Sequence, residues 1–264
     1  MEDLFYFLDH NFWNNGRLAL TFVMSLVIIV FVRYLFFAWA YKTILEWLTR
    51  SSRNKIMGKQ KQIRREIWWA FVSTLVFVAL ACIAWWLYQQ GLTRVYEETS
   101  RYPLWYLIIS PVLLLVLYET YYYWLHRWMH SPKVFRVVHR IHHESLHPTV
   151  FTSFAFHPLE AFLQLVFFPL IVLLIPFHYI TLLIVFTIMS VSAVVNHSGV
   201  EIFRNRSLLN HVISSTHHDT HHKHFNHNFG LYFTWWDKWM KTEKTNEYFR
   251  TPTTRNGYKT KEDF

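Results

Sequence analysis

Cysteine is nearly absent: Cys82 stands alone among 264 residues. A single thiol forms no disulfide within the chain, and cysteine zinc sites and iron–sulfur clusters are excluded with it. Glycine is scarce as well. The six present are too few and too scattered to build a phosphate-cradling loop. Charged residues make up 16% of the chain, against about 25% in an ordinary soluble domain. Hydrophobic residues supply 53% and aromatics 20%. A chain so composed is neither disordered nor a soluble globule with charged helix faces. Its length suits one domain or one bundle of membrane helices. The net charge is +9 with histidine neutral. In a membrane protein that excess faces cytosol and anionic lipid, so no nucleic-acid partner is expected.

What is present in abundance is long apolar runs. The first extends from about Leu18 to Ala40, broken only by Arg33; the second from about Ile67 to Leu87; the third from about Leu104 to Leu125, with Pro111 and Glu119 inside it. Each has about the 20 residues needed to cross ~30 Å of hydrocarbon. Ala161 to Val200 then runs forty residues without Lys, Arg, Asp or Glu, divided by Pro176-Phe177-His178. It reads as a hairpin of two short spans or as a re-entrant pair. The expected fold is all-α: a multi-pass membrane bundle of four to five spans with a histidine-rich helical cap. Residues 1–104 would hold the first two spans, 105–242 a catalytic domain and 243–264 a tail.

Charge in the loops sets the orientation. Arg50, Arg53, Lys55, Lys59, Lys61, Arg64 and Arg65 share one loop with no acid, which places that loop in the cytoplasm. Glu2, Asp3 and Asp9 precede the first span on the other side. Five crossings then bring His126–His157 and the chain from Glu201 onward to the same cytoplasmic face. The acidic start shows no cleavable signal. The tail from Tyr258 to Phe264 gives no clear retention signal, which points to a bacterial inner membrane ahead of endoplasmic reticulum.

Histidine is the anomaly. Of 17 residues, 16 lie between His126 and His227. Three groups stand out: His126 with His130; His139 with His142 and His143; His218 with His221 and His222. Residues three and four apart share one helix face, and Pro132 is suited to begin a helix between the first two groups. Eight imidazoles thus sit on three helical turns below the bilayer. Imidazole is the commonest metal ligand near neutral pH. Eight exceed one tetrahedral site and match two metals with open positions, and ligation by imidazole alone suits Fe, Zn, Cu or Ni. A lone His-x-x-x-His carries little information; two His-x-x-His-His copies plus the first pair carry much more. A substrate reaching such a centre from the bilayer would be a lipid, and a pair of irons would activate O2 toward a C–H bond.

The same residues resemble the fatty acid hydroxylase/sterol desaturase superfamily of integral-membrane di-iron enzymes. The likeness runs through His126-Arg-Trp-Met-His130-Ser-Pro, His139 to Glu144, and Ser153-Phe-Ala-Phe-His157-Pro-Leu-Glu160. It continues through Asn196-His197-Ser-Gly199, His217 to His222, Asn228-Phe-Gly230 and Trp236 to Thr242, covering about residues 105–242. It implies two iron ions (zinc in isolated protein), held by His126, His130, His139, His142, His143, His218, His221 and His222, with His197 as a further ligand. His157 matches another recurrent histidine, as a ligand or as a partner of one, and His217 lies beside the third group. Asn228-Phe-Gly departs from the frequent Asn-Tyr-Gly. Only about 17 residues precede the first span, too few for a fused cytochrome b5 domain. A separate electron donor is therefore expected, cytochrome b5-like or a ferredoxin with its reductase.

Among the carboxylates, Glu119 lies inside a span, where a charge is costly and a functional candidate by default. It would orient a ligand imidazole or bond Tyr122 or Tyr123. Glu160, Asp219 and Asp237 would fix imidazole tautomers by accepting the distal N–H, or serve in ordinary surface or cap roles. Arg127, Lys133, Arg136 and Arg140 interleave with the ligands and would meet lipid headgroups or an acidic donor. Trp124, Trp128, Phe154 and Phe156 are expected around the substrate channel. The activity expected is O2-dependent hydroxylation or desaturation of a lipid. The rivals are a zinc-dependent lipid hydrolase on the same scaffold and a histidine-rich metal transporter. The residues leave open which lipid is used and the oligomeric state.

Overall fold

The computed structural model describes residues 15–49, 60–201 and 211–244. The expectations for the acidic N-terminus, Arg50 to Lys59 and the tail from Thr245 lie outside them. Among the described residues, four helices are long and apolar enough to cross a membrane. They are α1 (Gly16–Thr49), α2 (Gln60–Gln89), α3 (Leu104–Met129) and α8 (Tyr179–Asn196). Even the shortest, at 18 residues, rises about 27 Å. Between α3 and α8 come the short helices α4 (Pro132–Val134), a π turn (Phe135–His139), α5 (Arg140–His143) and a 3₁₀ turn (Val150–Phe154). The apolar pieces α6 (Pro158–Leu165) and α7 (Phe167–Leu174) follow. After α8 come α9 (Ser215–Lys223) and α10 (Trp235–Trp239). No strand forms among the described residues, only the isolated bridges Tyr96–His178 and Val212–Phe233.

Prolines shape the stretch that sequence patterning left open. Pro169 has no N–H for the carbonyl of Leu165, and its ring crowds that carbonyl. The limb therefore breaks at Val166 into α6 and α7. Ile175, just before Pro176, is extended at φ −119° and ψ 132°, which ends α7. The Ala161–Val200 stretch is thus a hairpin of one broken limb and one full span. Its tip reaches the α2–α3 connection: Arg94 N–H bonds Val172 O at 2.7 Å, and Tyr96 N–H bonds Phe177 O at 3.1 Å. His178 caps α8 there, accepting from Ile180 N–H, and bonds Glu97 O at 2.7 Å.

Two cores hold the bundle. Leu114, Tyr118 and Tyr122 of α3 pack on Phe168 and Val172 of α7, Val185 of α8, and Tyr232. Tyr34 and Ala38 of α1 pack on Ile63 and Ala70 of α2, Val194 of α8, and Val150 and Phe151 of the 3₁₀ turn. Outward faces are apolar: Phe36, Ile108 and Leu174 are each at least 65% exposed, as lipid contact requires. The start of α2 lies against the histidine-bearing segment. Gln62 bonds His147 O at 2.9 Å, and Arg65 pairs with Glu144 at 3.2 Å.

Candidate metal centre

Each histidine group owes its direction to a local device. His126 ends α3, and His130 is its C-cap. Ser131, extended before Pro132, lets the chain turn and restart with proline at the first helical position. Arg140 N–H then reaches back to Phe135 O, widening the helix into a π turn; such turns recur at functional sites. His139, His142 and His143 are all buried in consequence. Ser214 caps α9, accepting from His217 N–H, and His218, His221 and His222 face inward.

Nine imidazoles collect into two adjoining groups. His126, His130, His139, His143 and His221 offer nitrogens all within 4.8 Å of one another, and so do His142, His197, His218 and His222. The His-x-x-His-His segments divide between them: α5 sends only His142 to the second group, and α9 sends only His221 to the first. His143 and His222, one from each, have ring centroids 4.7 Å apart.

The donor set fits metal ions. In the first group the Nε2 atoms of His126 and His139, of His139 and His143, and of His143 and His221 are each 3.1 Å apart. In the second, His142–His197, His197–His218 and His218–His222 are separated by 3.2, 2.9 and 3.2 Å. Ligands at about 2.1 Å and right angles around one ion stand about 3.0 Å apart. The far nitrogens donate outward. His126 Nδ1 bonds Phe229 O at 2.8 Å, His221 Nδ1 bonds His227 O at 2.7 Å, and His197 Nδ1 bonds Ala193 O at 2.7 Å. His139 Nδ1 bonds Glu160 Oε1 at 2.7 Å. With Nδ1 protonated, each Nε2 carries a bare lone pair. Facing lone pairs repel unless a cation lies between them. Neither ring nitrogen of His130 has a hydrogen-bond partner, a cost that coordination removes.

The profile of the fatty acid hydroxylase family matches residues 111–242, half of the chain. The chain belongs to the fatty acid hydroxylase family. Human lathosterol oxidase is 31% identical over 183 residues, 68% of this chain and 60% of that protein. The Delta(7)-sterol 5(6)-desaturase of Eremothecium gossypii is 32% identical over 170 residues, 63% of this chain and 47% of that protein. That of Leptosphaeria maculans is 27% identical over 228 residues, 86% and 62%. The chain therefore spans at most about three fifths of these relatives. No solved structure matches.

In this fatty acid hydroxylase family member the remaining sequence candidates fall around the two groups in several ways. Glu160 is buried and meets both His139 and, at 3.1 Å, Gln164. His157 lies outside both groups and caps α6, its Nδ1 accepting from Leu159 N–H at 3.2 Å. Asp219 pairs with Lys223 at 2.8 Å. Glu119 accepts the backbone N–H of Leu231 and Tyr232, in place of the imidazole, Tyr122 or Tyr123 expected from the sequence. Asp237 meets His217 at 3.4 Å and the N–H groups of Phe229 and Gly230. Burial alone would raise its carboxyl, but these bonds and Thr242 hold it below the ordinary value. The expected channel lining is partly corrected. Phe156 lies 5.0 Å from the His142 ring, but Trp124 and Trp128 are about half exposed, and Phe154 stacks on Tyr34. Phe225 and Phe135, which the sequence reading passed over, cover His143 at 4.9 and 5.5 Å.

Burial drives the His139 imidazole down to about 3 and that of His197 down to about 4. Both stay neutral in the fold, whereas the unfolded chain takes up protons below about 6.5. Stability is therefore full above pH 6.5 and falls as pH drops toward 4. Metal-stripped protein is expected to melt at a lower temperature at pH 5 than at pH 7.5, read by thermal unfolding in detergent.

Proposed function

We propose that this chain is a membrane-bound di-iron oxygenase that hydroxylates or desaturates a C–H bond of a membrane lipid, using O2 and electrons from a separate donor protein. The observation that carries the reading is the pair of imidazole groups facing each other at one end of an apolar bundle. The nine histidines would hold the metals, and Glu160 would hold the His139 ring in the tautomer that leaves Nε2 free. Phe135, Phe156 and Phe225 keep water from the histidine nitrogens. A pair of irons, when bound, supplies O2 activation and C–H oxidation. The names of the sterol-oxidising relatives make a sterol or similar fused-ring lipid the first substrate to test, and desaturation the first outcome. Lys61, Arg64 and Arg65, at the histidine end of α2, support a cytoplasmic site and an acidic donor.

The test is purified protein in lipid discs, loaded with Fe(II), supplied with reductant and candidate lipids, and followed by mass spectrometry. A gain of one oxygen or a loss of two hydrogens is expected, only when O2 is present. Turnover without O2 would establish the hydrolase instead. Absence of a transition metal from active protein, or metal flux into vesicles without lipid oxidation, would overturn the proposal.

A further inference from the structure

We propose that Asp237 and Glu119 are positioning residues of the five-histidine group, acting through the backbone of residues 227–232 rather than on any imidazole. The inference rests on the metal-centre reading above. That short segment supplies two carbonyls to the site: His227 O receives His221 Nδ1–H and Phe229 O receives His126 Nδ1–H. Both imidazoles belong to the same group. Where these carbonyls stand decides where the two Nε2 lone pairs point.

The two carboxylates hold the segment by its N–H groups. Asp237 takes Phe229 N–H on Oδ1 at 2.8 Å and Gly230 N–H on Oδ2 at 2.9 Å. Glu119 takes Tyr232 N–H at 2.8 Å and Leu231 N–H at 3.2 Å. Four consecutive amides thus end on two buried acids, each 0% exposed. Asn228 completes the clamp. It sits in the left-handed region at φ 60°, which asparagine tolerates better than most residues. Its side chain ties the loop to His217 O and to Lys244. Gly230 allows the close approach: a Cβ there would meet Phe233 O at 2.6 Å and Ile213 Cδ1 at 2.8 Å. The four-histidine group draws none of its bonds from this segment. Its His142 and His197 lean on Ala155 O and Ala193 O. The two imidazoles that the clamp steadies through these carbonyls therefore both belong to the five-histidine group.

The experiment uses the full chain in detergent, stripped of metal and titrated with Co(II), whose absorption bands report coordination. Wild type is expected to take up two ions. Asp237→Asn and Glu119→Gln place an amide N–H against a backbone N–H. They are expected to weaken one of the two ions about 10–100-fold, as loss of a ligand's supporting partner does, and to leave the other unchanged. Two ions held as tightly as in wild type would overturn the inference. So would equal weakening of both in step with a lowered unfolding temperature, which marks a purely structural role. A wild-type chain that takes up no Co(II) would overturn the metal centre itself and the inference with it. Hydrogen exchange on metal-stripped wild type decides the matter without variants. The amides of Phe229, Gly230, Leu231 and Tyr232 are expected to stay protected; exchange at the rate of a free loop would overturn the proposal.

Discussion

Replacing His142 or His221 with alanine is expected to abolish lipid turnover and to leave one metal ion in place of two. The two substitutions strike different groups. His142 Nε2 stands 3.2 Å from His197 Nε2 in the group of four, and His221 Nε2 stands 3.1 Å from His143 Nε2 in the group of five. Each removal takes one nitrogen from its group, and the activity loss should exceed the ~10–100-fold typical of losing a ligand's supporting partner. The group of four should suffer more in metal retention, since it has no surplus nitrogen. His178→Ala is the control. That histidine caps α8 at the opposite end of the bundle, beside Glu97. Its loss should cost about 1 kcal/mol of stability and leave both ions bound. Elemental analysis beside a turnover assay reads all three variants. Persistent activity in His142→Ala or His221→Ala would mean that the ligand set is misassigned.

That eight of the nine histidines could be picked out along the chain follows from their chemistry; the ninth, His197, was named only through the family resemblance. Few side chains ligate metal, and spacings of three and four announce a shared helix face. Their division between two groups was not legible. It depends on the π turn at Phe135–His139 and on the angle between α5 and α9, which no spacing records. Glu119 stood out because a carboxylate is rare inside a span. Its partners did not, because backbone N–H groups carry no residue identity. For the same reason the sequence marked Phe229 only as part of the Asn-Phe-Gly likeness, and not for its carbonyl, which accepts from His126 Nδ1 at 2.8 Å. Trp124 and Trp128 were expected near the substrate from their place along the chain. The helix turns them outward, where indole rings suit the membrane interface. The apolar runs disclosed the spans but not the break in the fourth limb, although Pro169 was there to produce it.

Glu66 was hidden by its neighbours, and its replacement is the other change expected to have a large effect. It closes a run of basic residues and so reads as part of a solvated loop. In the fold it is 1% exposed and accepts from four side chains. Gln62, Ser145 and Thr152 donate to Oε1 at 2.7, 2.7 and 2.9 Å, and Thr149 donates to Oε2 at 2.6 Å. Three of these donors lie between His143 and His157, on the connection that carries Ala155 O to His142 and the Phe156 ring beside it. Glu66→Ala strands three buried hydroxyls, at about 1–3 kcal/mol for each group left unpaired, while the Gln62 amide keeps its bond to His147 O. Partial relaxation brings the expected loss to about 3–5 kcal/mol. At about 2–4 °C per kcal/mol, the unfolding temperature should fall by roughly 6–20 °C. Glu66→Gln keeps the shape but offers one acceptor oxygen in place of two, and its amide group donates toward hydroxyls that already donate. Those hydroxyls can rotate to accept, so it should cost less than alanine. Because the connection stands against the four-histidine group, metal loss in Glu66→Ala should begin with that group. A Glu66→Ala protein that melts with wild type and retains both ions would show that the connection is held by its own turns, Thr149 capping Phe151 and Thr152, rather than by α2.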